Sequence, residues 1–375
     1  MNVSVLQENL LKGLNIVRRA VESRPQLPVL ANVLLETDGS RLKLAATNLQ
    51  MSVTAFIGAQ VHTEGSITLP MKTLYELVTN LSPERVDMTL DARSQTVNIR
   101  CGATMSNIKG IDADEFPPVN HANTGEVAIG SKLLKEMIGQ TAFAAAKDDA
   151  RPILTGVYTE IKQERLTMAA ADGYRLAMRT GALDEAFRDE VSIVIPAKTL
   201  MDVAGIIEDD DEPVSISLPG ERDIVTFHLK DVEVSSQLLE GRFPDFRAII
   251  PRGYVTSTVM YRNDLLAACK RAEIFARDNA NSGRLAVKPP KAPGEPGEVR
   301  IIGKSAERGD NEGMLDASIE GEELDISFNI SYLIEVLRVL SNERVVFQSN
   351  GNEKPGVLRL EERDDFIHVI MPMSR

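Results

Sequence analysis

Apolar residues at Leu10, Leu11, Leu14, Val17 and Val21 follow nearly an i, i+3, i+4, i+7 spacing and predict a helix behind a short strand, Val3-Ser4-Val5. Ser23-Arg24-Pro25 ends that helix, because the residue before a proline is pushed out of the α region. Strands are predicted over 29–37, 41–47 and 51–58. Pro70 then sits at a helix start, where its missing N–H costs little, and the helix 71–81 carries Leu74, Leu77, Val78 and Leu81. Three alternating runs follow: Val86-Met88-Leu90, Val97-Ile99-Cys101 and 103–111. The predicted unit is strand, helix, three strands, helix, three strands, itself a doubled motif.

This unit recurs. Leu69-Pro70-Met71-Lys72-Thr73-Leu74 returns as Ile195-Pro196-Ala197-Lys198-Thr199-Leu200, and a weaker third copy runs Asn329-Ile330-Ser331-Tyr332-Leu333. Leu42-Lys43-Leu44-Ala45-Ala46-Thr47-Asn48 returns as Leu166-Thr167-Met168-Ala169-Ala170-Ala171-Asp172, and Phe116-Pro117 as Phe243-Pro244. Several landmarks in one order at a common offset mean a triplicated domain. The boundaries fall near 122 and 252, giving domains 1–121, 122–252 and 253–375. The expected fold class is α+β, each domain two helices against antiparallel sheet, with six helices in all. The Pro/Gly-rich stretch 288–298 reads as an exposed loop within the third copy.

Composition narrows the function. The 375 residues are 43% apolar and 26% charged, with a formal net charge of −13. That is ordinary for folded protein and excludes a wholly basic nucleic-acid binder, though not a locally basic one. Two cysteines, Cys101 and Cys269, without a CxxC, exclude a disulfide framework or a cysteine-rich zinc module and fit a reducing compartment. No apolar run reaches the ~18 residues of a membrane span, and the N-terminus does not read as a secretory signal. A cytoplasmic protein is expected.

The first helix of each copy is positive against this acidic background. Lys12, Arg18, Arg19 and Arg24 oppose Glu8 and Glu22; Lys132, Lys135, Lys147 and Arg151 oppose Glu136, Asp148 and Asp149; Arg262, Lys270, Arg271 and Arg277 oppose Asp264 and Glu273. Singly these are ordinary helix-surface residues. Repeated in equivalent places around a common axis, they would form one basic surface for phosphates, without base readout. Catalytic constellations are missing: His62, His121, His228 and His368 are scattered, and there is no phosphate loop or nucleophile elbow. The acidic run 208–212 reads as a solvated loop rather than a metal site. Asp172-Gly173 is first of all a turn, although an enzyme using Asp172 and Arg175 is the alternative from another class.

Leu27-Pro28-Val29-Leu30 after Arg24-Pro25, the run Ala171 to Leu176, Phe243-Pro244-Asp245-Phe246, Phe328 to Leu333 and Val369-Ile370-Met371-Pro372-Met373 carry a resemblance. Over residues 1 to 375 the chain resembles the bacterial DNA polymerase III beta subunit, the sliding clamp. The resemblance implies three DNA-clamp domains forming half of a closed ring, a head-to-tail homodimer around double-stranded DNA. It implies no catalysis, no cofactor, no metal, no membrane, and a place in the cytoplasm on the nucleoid. Implied partners are the DNA polymerase III alpha subunit, the clamp loader, and other polymerases and repair proteins that carry a short linear motif. A clamp paralogue serving mainly repair or resistance would look much the same.

Carried over by matching motif, the peptide groove would use Leu154, Gly173, Tyr174, Arg175, Leu176, Pro244, Ile249, Asn329, Tyr332, Pro355, Val369, Ile370, Met371, Pro372 and Met373. DNA contacts would come first from Arg24, then from Lys12, Arg18, Lys72, Lys132, Lys135, Arg151, Lys198 and Lys270. The ring contact would set Ile108 against Ile274 and Phe275 as exposed apolar groups. Two departures stand out. The chain ends Met373-Ser374-Arg375 where relatives often have an arginine and a leucine, and Asp278-Asn279-Ala280-Asn281 lacks an aromatic.

Overall fold

The computed structural model describes all residues except 23, 24, 121, 123, 149, 209–211, 221, 222, 291, 293, 294, 374 and 375. It divides into two compact units, Met1–Leu134 with Asp202–Leu238, and Lys135–Met201 with Leu239–Arg375. Six α-helices occur among the described residues: α1 (Gln7–Val17), α2 (Met71–Thr79), α3 (Ser131–Thr141), α4 (Ala197–Ile206), α5 (Arg262–Ala276) and α6 (Ile330–Val339). The division runs through α3 and α4, not along the repeat boundaries, because the sheets cross those boundaries.

In the first unit a five-stranded sheet runs in the order Gln60–Thr63, Asn2–Leu6, Arg85–Asp91, Thr96–Cys101, Thr104–Lys109. An eight-stranded sheet places Thr124–Ile129, Val214–Leu218, Ile224–Leu229 and Val232–Gln237 beside Met51–Gly58, Arg41–Thr47, Asn32–Asp38 and Ser66–Pro70. Leu10, Leu14 and Val17 on one face of α1 are fully buried. Gly13 shares that face, and a Cβ there would run into Leu44. The glycine that weakens α1 as an isolated helix therefore lets it lie close on the sheet. α1 and α2 touch through the Tyr75 hydroxyl, which donates to Asn15 Oδ1 at 3.0 Å, and just past α1 Arg18 stacks 4.7 Å over the Tyr75 ring.

In the second unit ten strands follow one another: Gly156–Ala171, Arg175–Pro196, Arg363–Ile370, Gly356–Leu360, Arg344–Ser349, Thr256–Tyr261, Gly309–Gly321, Gly297–Ser305, Ser282–Lys288 and Leu324–Asn329. α5 and α6 cover this sheet with Leu265, Ala268, Ala272, Leu333 and Leu337. Both cysteines are buried. Burial pushes the Cys269 thiol up to about 12, with Glu273 adding to the rise.

Several expected elements differ. Five strands, not three, separate α1 from α2, because Gln60–Thr63 and Ser66–Pro70 also pair. Each is only a few residues long, too short for a clear alternation. The strand expected over 29–37 begins at Asn32, since Pro28–Ala31 forms a 3-10 turn led by its proline. α1 ends at Val17 and tightens into the 3-10 turn Arg18–Ala20, ahead of the proline expected to stop it. α2 stops at Thr79 rather than 81, and the third strand of its half covers Thr104–Lys109 rather than 103–111. The Pro/Gly stretch joins Ser282–Lys288 to Gly297–Ser305; 291, 293 and 294 lie outside the described residues, as do His121 and 209–211 of the acidic run.

His368 is fully buried in the second unit, facing Ala177 and Leu358 in register, and neither ring nitrogen has a hydrogen-bond partner among the described residues. Burial, with nearby Arg175 adding, lowers it from 6.5 to about 3. The unfolded chain therefore takes up a proton that the folded chain refuses. The stability this neutral ring permits is present above pH ~6.5 and is lost as pH falls toward ~3, at up to about 1.4 kcal/mol per pH unit. Urea unfolding of His368→Phe should lose about 2 kcal/mol less between pH 7 and pH 5 than the wild type. Equal losses would show that the ring protonates in place without cost.

Candidate functional site

The run Ala171 to Leu176 turns from one long strand into the next. Asp172 Oδ1 accepts from the backbone N–H groups of Tyr174 (2.9 Å) and Arg175 (3.0 Å), which closes the turn. Gly173 sits at φ 95°, and a Cβ there would lie 2.7 Å from the Arg151 guanidinium. Arg151 itself donates to the Asp172 carbonyl at 2.8 Å. Arg151, expected among the DNA contacts, is thus placed against this turn; it is exposed and gives one of its five N–H donors to that carbonyl.

After the turn the backbone pairs with the C-terminal strand: Arg175 faces Ile370 and Leu176 faces Val369. The Met371 N–H continues this by donating to the Tyr174 carbonyl at 2.8 Å, and the Met373 N–H donates to the Ser327 carbonyl at 2.8 Å. Leu154, Leu176 and Val369 join Ala169, Phe243, Phe246 and Ile367 in one buried apolar cluster. Gly173, Tyr174, Pro244, Ile249 and Met371 are exposed around it, Tyr174 by 65% and Met371 by 43%. Asn329, Tyr332, Pro355, Pro372 and Met373 are half-buried. Asn329 caps α6 by accepting from the Ser331 N–H at 3.1 Å, and the Pro355 carbonyl accepts from Ser349 Oγ at 3.2 Å. Ile370 belongs instead to the core under α5 and α6.

Arg175 is the buried charge of this site. Its Nε donates to Asp172 Oδ2 (3.0 Å), Nη1 to Glu335 Oε2 (2.6 Å) and Nη2 to the Phe143 carbonyl (3.0 Å). The guanidinium also stacks 4.2 Å over the Tyr332 ring. Burial pushes the Tyr332 hydroxyl up, with Asp172 adding and Arg175 opposing. One side chain thus ties the turn to α6 with its hydrogen bonds satisfied, which a buried charge requires. Phe143 and Glu335 had no sequence signal, since each is distant from Arg175 along the chain. Beside this, the buried Arg179 binds Asp365 at 2.5 Å. Burial works to raise the Asp365 carboxyl, but Arg363 and Arg179 outweigh it and hold it low.

Arg24 lies outside the described residues, as do Ser374 and Arg375. Lys12 is ion-paired with Glu208, and Arg19 binds Asp202 at 3.2 Å, so part of the positive charge of α1 is matched in place. Lys72, Lys198 and Lys270 are exposed on α2, α4 and α5 and make no ion pair among the described residues; Arg18 stacks on Tyr75. Lys132 and Lys135 lie on α3. Ile108 is corrected as an exposed contact: it is 6% exposed and faces Val97, and the exposed apolar group of its strand is Met105 at 62%. Ile274 is exposed by 50% on α5, and Phe275 is half-buried. No group of three or more His, Cys, Asp or Glu among the described residues could hold a metal ion, and no described helix is long and apolar enough to cross a membrane.

Removing Arg175 leaves the Phe143 carbonyl and two carboxylates without their buried donor. Arg175→Ala should lower unfolding stability by about 3 kcal/mol in urea, and Glu335→Gln by much less, because Glu335 is partly solvated. Equal small effects would mean that the guanidinium does not hold the turn.

The family model of the DNA polymerase III beta subunit matches in three parts: its N-terminal domain on residues 1–120, its central domain on 128–245 and its C-terminal domain on 247–374. The beta sliding clamp of Synechococcus elongatus is 32% identical over 378 residues, covering 100% of this chain and 99% of the relative. That of Bacillus subtilis is 30% identical over 388 residues, with 100% and 99% covered. A crystal structure of the Bacillus subtilis sliding clamp superposes with a TM-score of 0.93 at 29% identity, covering 100% of this chain and 99% of that one. A Pseudomonas aeruginosa sliding clamp bound to griselimycin gives 0.92 at 28%, with 100% of each chain covered. Length, domain order and helix-on-sheet architecture agree, and the chain belongs to the bacterial DNA polymerase III beta subunit family, the sliding clamps.

Proposed function

We propose that the chain works as a DNA sliding clamp, a non-catalytic processivity subunit built from domains 1–121, 122–252 and 253–375. Two copies close head to tail around double-stranded DNA inside the cell, on the nucleoid. The match to all three family domains over nearly the whole length carries this reading. The sheet edges support it. Thr104–Lys109 pairs on one side only, and Gly309–Ala317 pairs only with Gly297–Ser305 among the described residues. Each edge exposes a methionine, Met105 (62%) and Met314 (61%). Two unlike open edges suit a heterologous contact, which closes into a ring when the rotation permits. Ile274 and Phe275 would pack beside that pairing, with Ile108 behind it.

The ring holds DNA by enclosure and needs only weak, exchangeable phosphate contacts from Arg18, Lys72, Lys198 and Lys270, with Arg24, Lys132 and Lys135 as further candidates. The polymerase alpha subunit, the clamp loader and repair proteins dock by a short peptide whose apolar side chains enter over Leu154, Leu176 and Val369, between Tyr174, Ile249 and Met371. Exposed methionine suits varied ligands. A tethered polymerase rebinds its primer end before it diffuses away.

The purified chain should be a dimer that leaves nicked circular DNA slowly and leaves the same DNA rapidly once it is cut; equal lifetimes on both would refute enclosure. Lys72→Ala/Lys198→Ala/Lys270→Ala should flatten the salt dependence of DNA binding by roughly one unit of log–log slope per lysine that meets a phosphate. Met371→Ala with Leu176→Ala should weaken a Gln-Leu-Ala-Leu-Phe peptide by about 30-fold or more while the dimer persists. Loss of the dimer would make those two residues structural.

A further inference from the structure

The turn that builds the peptide groove has a twin at the junction of the first two domains, within the first unit. Asn48 Oδ1 accepts from the Gln50 (3.1 Å) and Met51 (2.8 Å) N–H groups, as Asp172 does for Tyr174 and Arg175. Leu49 takes the left-handed backbone, φ 73°, that Gly173 takes in the other turn. The Gln237 N–H donates to the Gln50 carbonyl at 2.8 Å, the bond that Met371 makes to Tyr174. The strands cross in the same register, Ser52 facing Ser235 where Leu176 faces Val369. A buried apolar cluster lies beneath here too, with Leu30, Leu34, Ala45 and Phe116 in the places of Leu154, Tyr158, Ala169 and Phe243. Beside the turn a cleft of about 270 Å³ is lined by Leu49, Gln50, Ser52, Pro117, Ser235 and Gln237, and no residue of the cluster lines it.

The backbone is shared and the lining is not. At the second junction the apolar cluster continues upward through Leu176 and Val369. At the first it stops at two hydroxyls. Ser52 Oγ donates to Thr47 Oγ1 at 2.8 Å, and Ser235 Oγ bonds Thr226 Oγ1 at 3.0 Å. The rim changes alike: Gln50 replaces Tyr174, and Gln237 replaces Met371. An apolar anchor seated here would meet hydroxyls where Leu176 and Val369 stand in the other turn, and covering the exposed Gln50 and Gln237 amides would strip water from them with no new partner in return. We infer that Ser52, Ser235, Gln50 and Gln237 exclude the apolar clamp-binding peptide from the first junction, so that each chain docks one peptide although it contains two groove scaffolds. This rests on the reading of the second junction as the peptide groove. Rejection here comes from polar groups placed on an otherwise competent frame.

Calorimetric titration with a Gln-Leu-Ala-Leu-Phe peptide tests it on the full chain. The wild type should bind one equivalent. Ser52→Leu/Ser235→Val/Gln50→Tyr/Gln237→Met should bind two, the second within about 100-fold of the first. That new equivalent should survive Met371→Ala/Leu176→Ala, which disables the second junction. Should the four-residue variant not melt cooperatively, Ser52→Leu/Gln237→Met decides on the same terms, because Ser52 is half-buried and Gln237 exposed. A second equivalent in the wild type, or a folded variant that still binds one, overturns the inference. No binding by the wild type at any concentration removes the peptide-groove reading and the inference together, a different result from one equivalent in both proteins.

Discussion

Two antiparallel pairings that cross from one repeat to the next set the geometry of everything above them. Val232–Gln237 pairs with Met51–Gly58, and Arg363–Ile370 pairs with Arg175–Pro196. Each joins a strand of one domain to a strand of its neighbour, so the domains share sheets instead of touching through side chains alone. Register is strict here, because a slip of one residue would turn Val369 and Leu176 from the apolar cluster to the opposite face. The turn follows from that register: the pairing ends, the chain turns at Asp172, and Tyr174 and Met371 are left exposed beside the cluster. Arg175 then fixes the turn by spending its donors on partners from three separate segments.

The repeats made the helices and the domain count legible, since α1, α3 and α5 begin where Leu10-Leu11, Leu133-Leu134 and Leu265-Leu266 recur. Short and fused strands were harder. Gly156–Ala171 and Arg175–Pro196 each run as one long strand, with register shifts near Gln163 (φ 54°) marking where the sequence reads as separate pieces. Beside the Asp172 turn, Leu154, Leu176 and Val369 could be read from the residues alone only as ordinary core packing, and they are indeed buried. What made them candidates was the motif set, not hydrophobicity. The ties of Arg175 to Phe143 and Glu335 could not be read at all, because a long-range polar contact leaves no periodic trace.

Charge shows the same limit. Counting lysines and arginines along α1 treats every cation as equal, yet Lys12 and Arg19 face carboxylates on and after α4 while Arg18 lies on an aromatic ring. Exposed pairs contribute little to stability, so the matched cations matter chiefly by removing charge from the field that a phosphate would meet.

The deep burial of both sulfhydryls has a practical side. Cys101 is buried at the end of Thr96–Cys101 in the five-stranded sheet, and the Cys269 thiol stays protonated far above neutral pH. A thiol that is neither reachable nor ionised reacts slowly with maleimides and disulfide reagents. The native chain is therefore a silent background for chemical labelling: a single cysteine introduced at an exposed position such as Tyr254 would carry the only reactive sulfur, and a fluorophore or spin probe attached there would report distances without any native cysteine having to be removed.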